Sequence, residues 1–281
     1  MTAIDATDGL PLRQFLEPLQ SAENLQLSIG ADRAGHEPIV ALPPAVVEAW
    51  LAAVSRDHAD MEARTCAAYL IGDIAWAFGR NLAALHLAGP GLPDIGAGSI
   101  AAAPQWYRWE EDGEGGEALR FTLRLLAAPD ATHRPLDIDG IRALAVAAHA
   151  PLIETLSGLT RLGRSAMWRL VADALAAGWL LVGKRIGLPE HAMRVANAII
   201  GAPGSPLANK QTGFVEIVLR DETDPERVLG CEWFRARGGC CRYYTTGESA
   251  GEYCTTCVLR PPESRDQRLR DHLKARLQMP V

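Results

Sequence analysis

Four of the six cysteines lie within eighteen residues: Cys240 and Cys241 are vicinal, twelve residues follow, and Cys254-Thr255-Thr256-Cys257 completes the group. Thiolates are soft donors for zinc and for iron-sulfur clusters, and four on so short a segment read as one metal or cluster site. Cys254 and Cys257 have the spacing of a zinc knuckle. The vicinal pair does not, because consecutive side chains on an extended strand point to opposite faces and converge only where the backbone turns. Gly238 and Gly239 offer the freedom for such a turn. A two-iron cluster also requires four convergent thiolates, so the spacing leaves zinc and iron-sulfur both open. A disulfide framework is the weaker reading: 281 residues can bury a sizeable core without staples, and no charged-then-apolar leader follows Met1, which points to a reducing compartment.

Those cysteines must be positioned by a body whose composition is that of a soluble protein, 48% hydrophobic and 22% charged with a net charge of -6. An acidic chain of this kind is a poor general binder of nucleic acid. The longest apolar stretches, residues 66–87 and 168–183, contain Asp73 and Arg80 in the first and Asp173 in the second, which argues for buried helices and against transmembrane segments. Peripheral membrane contact stays open. Periodicity and punctuation predict an α+β fold: a predominantly helical body, a small antiparallel sheet and a C-terminal cysteine-bearing segment. Helices are expected from Pro44 through Leu51, over residues 60–87, 138–158, 165–184 and 189–200. Residues 92–103 read as a loop or irregular strand, 110–117 as a Glu-Gly-rich linker, and the alternation at Leu119, Phe121, Leu123 and Leu125 as a half-buried strand. Strands over 214–219 and 228–234 form a hairpin that delivers the chain to the cysteine pair. The Pro- and Gly-rich stretch 201–213 divides the chain into a body, residues 1–212, with 1–41 an unassigned extension, and a C-terminal segment, residues 213–281.

Other candidate residues have bland alternatives. Cys66 and Cys231 read as small buried hydrophobes, and His149 as a hydrogen-bonded core residue. Trp168, Val171, Leu175, Trp179 and Val182 form a helix stripe that suits core packing. Trp106, Tyr107 and Trp109 are candidates for an aromatic wall against a bulky chelate, with packing at the strand edge as the alternative. From Val258 onward six basic residues face three acidic ones, and Arg235, Arg237 and Arg242 add to the bias, which would steer an acidic partner or an anionic complex toward the cysteines or simply solvate a terminal helix. No G-x-G-x-x-G, P-loop, H-E-x-x-H or nucleophile-elbow motif occurs, so neither a nicotinamide nor a nucleotide is expected.

The stretch Arg237-Gly238-Gly239-Cys240-Cys241-Arg242-Tyr243-Tyr244 with Cys254 and Cys257 resembles the C-terminal 2Fe-2S motif of the FhuF family of siderophore-iron reductases. That motif normally has ten residues between the pairs; here there are twelve, and the turn-like Gly247-Glu248-Ser249-Ala250-Gly251 can absorb two. His149-Ala150-Pro151, then Leu162-Gly163-Arg164-Ser165 and Trp168, are similar to the family's central helices. The resemblance runs from about Leu42 to the end. It implies a 2Fe-2S cluster on Cys240, Cys241, Cys254 and Cys257, with no catalytic residues beyond these ligands. It further implies one-electron reduction of chelated Fe(III) to Fe(II), a ferric siderophore as substrate, hydroxamate types among them, and an external electron-donor protein. Trp106, Tyr107, Trp109, Arg237 and Arg242 are the substrate-side candidates, and the location is cytoplasmic, at the inner face of the membrane where contact is made. The competing reading is a structural zinc-binding or protein-interaction module without redox activity. A kinship with siderophore synthetases lacks the ATP site those enzymes need.

Overall fold

The computed structural model describes residues 10–14, 27–58, 61–111, 114–221 and 223–278. The fold is α+β. The body is carried by α1 (Pro44–Asp57), α2 (Ala63–Ala88), α3 (Ile138–Thr160), α4 (Arg164–Arg185) and α5 (Pro189–Ile200), with α6 (Pro262–Arg276) near the C-terminus. Pro44 and Pro189 open α1 and α5 in the first turn, where the missing N–H has no intrahelical partner to lose. Asp137 caps α3 by accepting the Gly140 N–H at 2.7 Å. The helices at the centre, α2 and α4, cross at two glycines. A Cβ on Gly79 would lie 3.0 Å from the Leu175 Cα, and one on Gly178 would lie 2.6 Å from the Arg80 nitrogen. Backbone therefore meets backbone at the crossing, and Leu175, Val171 and Trp179 fill the space around it as buried residues.

One sheet covers this helical layer. Its order is β2 (Leu27–Ile29), β5 (Glu114–Leu125), β4 (Ile100–Glu111) and β3 (Glu37–Pro38). Two expectations are corrected here. The sheet is mixed, because β2 runs parallel to β5. Residues 92–99 are irregular, as expected, and lead into β4 at Ile100, but residues 110–111 and 114–117, read as a linker, are strand, since β4 and β5 pair without a break from Ile100↔Leu125 to Glu111↔Glu114. The acidic and glycine-rich residues read as a linker are the tip of this hairpin; Gly116 lies opposite Trp109, whose indole nitrogen would be 3.1 Å from an added Cβ. Part of the N-terminal extension belongs to the body: β2 and β3 form both sheet edges, and Leu12 and Ile39 are fully buried. A two-residue strand β1 (Leu10–Pro11) pairs with β6 (Thr132–His133).

The C-terminal segment has its own small core. Strands β7 (Gly213–Arg220) and β8 (Val228–Ala236) form the expected hairpin, and Ile217 and Leu219 pack against Leu269 and Leu273 of α6. Glu232, only 9% exposed, is tied to Lys184 of α4 and Arg276 of α6, which joins the three elements. Cys231 is exposed, contrary to expectation. Its partner across the hairpin is Val218, so it points away from the face that carries Ile217 and Leu219. By length and composition α3 and α4 could cross a membrane, with 44% and 72% of their apolar windows buried inside the fold.

His149 is a core residue, as expected. It is fully buried, its Nδ1 pairs with the Ala145 carbonyl at 2.8 Å, its ring meets Phe78 edge-on, and its Nε2 has no partner. Burial pushes the imidazole down from 6.5 to about 4. The native ring therefore refuses a proton that the unfolded chain accepts, and stability present above 6.5 is lost as pH falls toward 4. Denaturant unfolding should show a loss of about 3 kcal/mol over that window. His149→Leu should lack this component; an identical acid dependence in wild type and variant would refute the assignment.

Candidate functional site

The site begins with one carboxylate. Asp173 lies in the middle of α4, 1% exposed, and accepts the Gly238 N–H at 2.8 Å, the Gly239 N–H at 2.9 Å and the Thr212 hydroxyl at 2.6 Å. Arg237 Nε approaches it at 3.6 Å, and Arg235 donates to its backbone carbonyl at 3.2 Å. The chain just before the cysteine pair is thus pinned to the core helix by an anion with several donors. Gly238 and Gly239 are required here by contact rather than by an unusual backbone angle. An added Cβ on Gly238 would lie 2.3 Å from Asn209 Oδ1, and one on Gly239 would lie 3.0 Å from backbone atoms of Arg169 and Leu170. The turn expected at the glycines falls instead at Arg242, whose φ is +63°.

This turn brings the four thiols into mutual range. Cys240 feels the charge of Cys241 and Cys257, Cys254 feels that of Cys241 and Cys257, and Cys254 donates a hydrogen bond to Cys241, so the four form one electrostatic group. All are free thiols. Arg237 Nη1 donates to Cys241 Sγ at 3.4 Å and reaches Cys254 Sγ at 3.9 Å. Backbone N–H groups add to this, from Arg242 toward Cys240 and from Tyr243 toward Cys241. The Cys254 hydrogen bond and Arg237 hold Cys241 well below the ordinary thiol range, while burial raises Cys240. The other loop is braced by Arg260, which donates to the carbonyls of Tyr253 and Cys254, and by the Cys257 N–H bond to the Cys254 carbonyl at 3.1 Å. Among the described residues no three histidine, cysteine, aspartate or glutamate side chains converge tightly enough to hold a single ion.

Cys241 and Cys254 also line a cleft of about 360 Å³, together with Tyr69, Trp76, Arg235 and Tyr243. A second cleft of about 640 Å³ shares Asp73 and Trp76 with it and continues to Arg80, Tyr107 and Arg120. Of the candidates for an aromatic wall, only Tyr107 lies there. Trp106 stacks under Arg56 of α1, and Trp109, 41% exposed, lines a separate depression near the hairpin tip. Successive residues of a strand face opposite ways, so the three cannot form one wall. Arg242 turns from the sulfurs to Glu62 and Thr65 of the α2 start. The C-terminal basic residues are partly neutralised, Arg265 by Asp266, Arg268 by Glu252 and Arg276 by Glu232.

No protein-family model matches the chain, and no curated protein matches it. The geometry must therefore carry the reading. Residues that sequence reasoning used only against membrane spans, Asp73, Arg80 and Asp173, prove to line or anchor the site. Their signal was available: a charge inside a long apolar helix needs a buried partner or a cavity. Trp76, between Asp73 and Arg80 on α2, left no such trace.

Asp173→Asn would place an amide hydrogen against the Gly239 N–H and remove the counter-charge beside Arg237. Unfolding free energy should fall by about 3 kcal/mol, and the four thiols should become more reactive toward a thiol reagent. Unchanged stability and reactivity would show that the carboxylate is not the anchor.

Proposed function

We propose that the chain is a ferric-siderophore reductase in which Cys240, Cys241, Cys254 and Cys257 hold a 2Fe-2S cluster beside an open cleft. The observation that carries this reading is that Cys241 and Cys254, hydrogen-bonded to each other within the thiol group, also belong to the cleft wall. A zinc clip that only fastens a C-terminus has no use for such a cleft; a centre that exchanges electrons with a docked molecule does. The donor set fits the group. Four free thiols are grouped, and an arginine and two backbone N–H groups lower the cost of gathering thiolates.

When bound, such a cluster would supply one-electron chemistry, enough to convert a chelated Fe(III) to Fe(II), which hard anionic oxygen donors hold weakly, with the electron coming from an external donor protein. The chain's own residues do the rest. Arg237 holds two of the sulfurs, Asp173 fixes the turn that presents them, and Tyr69, Trp76 and Tyr243 wall the space where a chelate would dock. The resemblance to the FhuF motif supports the same chemistry. The absence of a nucleotide motif in the sequence is why the electron donor is taken to be a separate protein, and a site of free thiols suits the reducing cytoplasm, with peripheral contact at the inner membrane face compatible with it.

The test is a single turnover without oxygen. Pre-reduced protein mixed with a ferric siderophore and a ferrous-specific chromogenic trap should yield about one Fe(II) per chain, and serine at any one of the four cysteines should cut the yield at least about a hundredfold. Full yield from all four serine variants would end the reading.

A further inference from the structure

The two clefts that meet at Trp76 and Asp73 differ from a generic aromatic pocket in their charge. Arg235 and Arg237 line the part next to the sulfurs, and Arg80, Arg108 and Arg120 the part under the sheet. Against these five stand Asp73, Asp173 and the sulfurs of Cys241 and Cys254, to which Arg237 already donates, so the excess positive charge lies with Arg235 and the arginines under the sheet. Asp173 is already saturated by the Gly238 and Gly239 N–H groups and Thr212. Asp73 has no hydrogen bond or ion pair with another described residue, and burial next to Asp57 pushes its carboxyl up to about 7, which weakens it as a counter-charge. The cations are moreover under-satisfied: the Nε–H groups of Arg80, Arg235 and Arg237 are buried without a hydrogen-bond partner. A buried donor left without an acceptor costs free energy that an incoming acceptor recovers. Arg108 is paired only with Glu117, at 3.6 Å and with both side chains largely exposed, so it adds a screened positive charge at the mouth.

We propose that this continuous cleft is the chelate-binding site and that it selects metal complexes of net negative charge, of the catecholate or carboxylate class, over uncharged hydroxamate complexes. The inference rests on the reductase reading for its biological meaning, but not for its test. Three hydroxamates cancel the charge of a trivalent metal, whereas three catecholates leave it a trianion, and the electropositive, partly desolvated cleft distinguishes the two by field as well as by hydrogen bonds. Trp76, shared by both clefts, supplies an aromatic surface against which a planar ligand can pack.

Gallium(III) complexes separate binding from electron transfer, because gallium is not reduced. Calorimetric titration of the full chain with the gallium complex of a hexadentate tris-catecholamide, and with that of an uncharged hexadentate tris-hydroxamate, should show at least about tenfold tighter binding of the anion, weakening as salt is raised. Arg80→Gln and the surface change Arg108→Gln should each weaken the anion and leave the hydroxamate unchanged, about tenfold for the first; Arg108→Gln serves if the buried change unfolds the chain. Trp76→Phe should remove most of the fluorescence quenching that accompanies binding. Equal affinities, a preference for the hydroxamate, or indifference of the anion to Arg108→Gln in a folded protein would overturn the proposal. Selective anion binding by a protein that yields no Fe(II) in the turnover experiment would leave the cleft assignment standing and remove the reductase reading.

Discussion

A buried carboxylate in the middle of an apolar helix is costly unless something compensates it, and in this chain that compensation organises everything C-terminal to the helical body. Asp173 takes two consecutive backbone N–H groups and a hydroxyl, so the approach of residues 238–239 to α4 is fixed to a fraction of a hydrogen-bond length. The close packing of Gly238 and Gly239 leaves no room for a side chain, which is why two glycines stand before two cysteines. From that fixed point the left-handed turn at Arg242 sets the vicinal pair against the C-x-x-C loop, and Arg237 spans the two halves. The hairpin and α6 reinforce the arrangement from behind through Glu232, held by Lys184 and Arg276.

The same two central helices make the cleft. The bare-backbone crossing of α2 and α4 at Gly79 and Gly178 brings Asp73, Trp76 and Arg80 of one helix to the same side as Asp173 of the other. An anchor for the thiols and a wall for a docked molecule are therefore built from one helix pair. Rigid elements of this kind hold a site more closely than loops do. The sheet contributes Tyr107, Arg108, Leu119, Arg120 and Phe121, and the pairing of β4 with β5 keeps them in place.

Much of this was legible beforehand. Strong periodicity with proline starts and glycine stops located α2 through α5 within a few residues and the start of α1, whose last six residues it missed, and the alternation at Leu119 to Leu125 located the inner half of β5. The thiol grouping was legible from spacing alone. What escaped was long-range: the strand character of residues 110–111 and 114–117 depends on a partner strand and not on local propensity, and β2 and β3 are too short to show a period. Cys231 was misjudged because strand alternation gives two faces without saying which meets the core. Asp173 and Trp76 were visible as residue types but not as neighbours of the cysteines, since nothing in one chain's order says that residue 173 touches residue 239.

The most direct measurement is the visible and paramagnetic-resonance spectrum of anaerobically prepared protein before and after one-electron reduction, with iron and zinc counted on the same sample. Four thiolates holding a 2Fe-2S cluster predict sulfur-to-iron charge-transfer bands that bleach on reduction, a paramagnetic signal that appears as they do, and about two irons per chain. Colourless protein carrying about one zinc per chain would contradict the central claim and leave the cysteines as a structural clip.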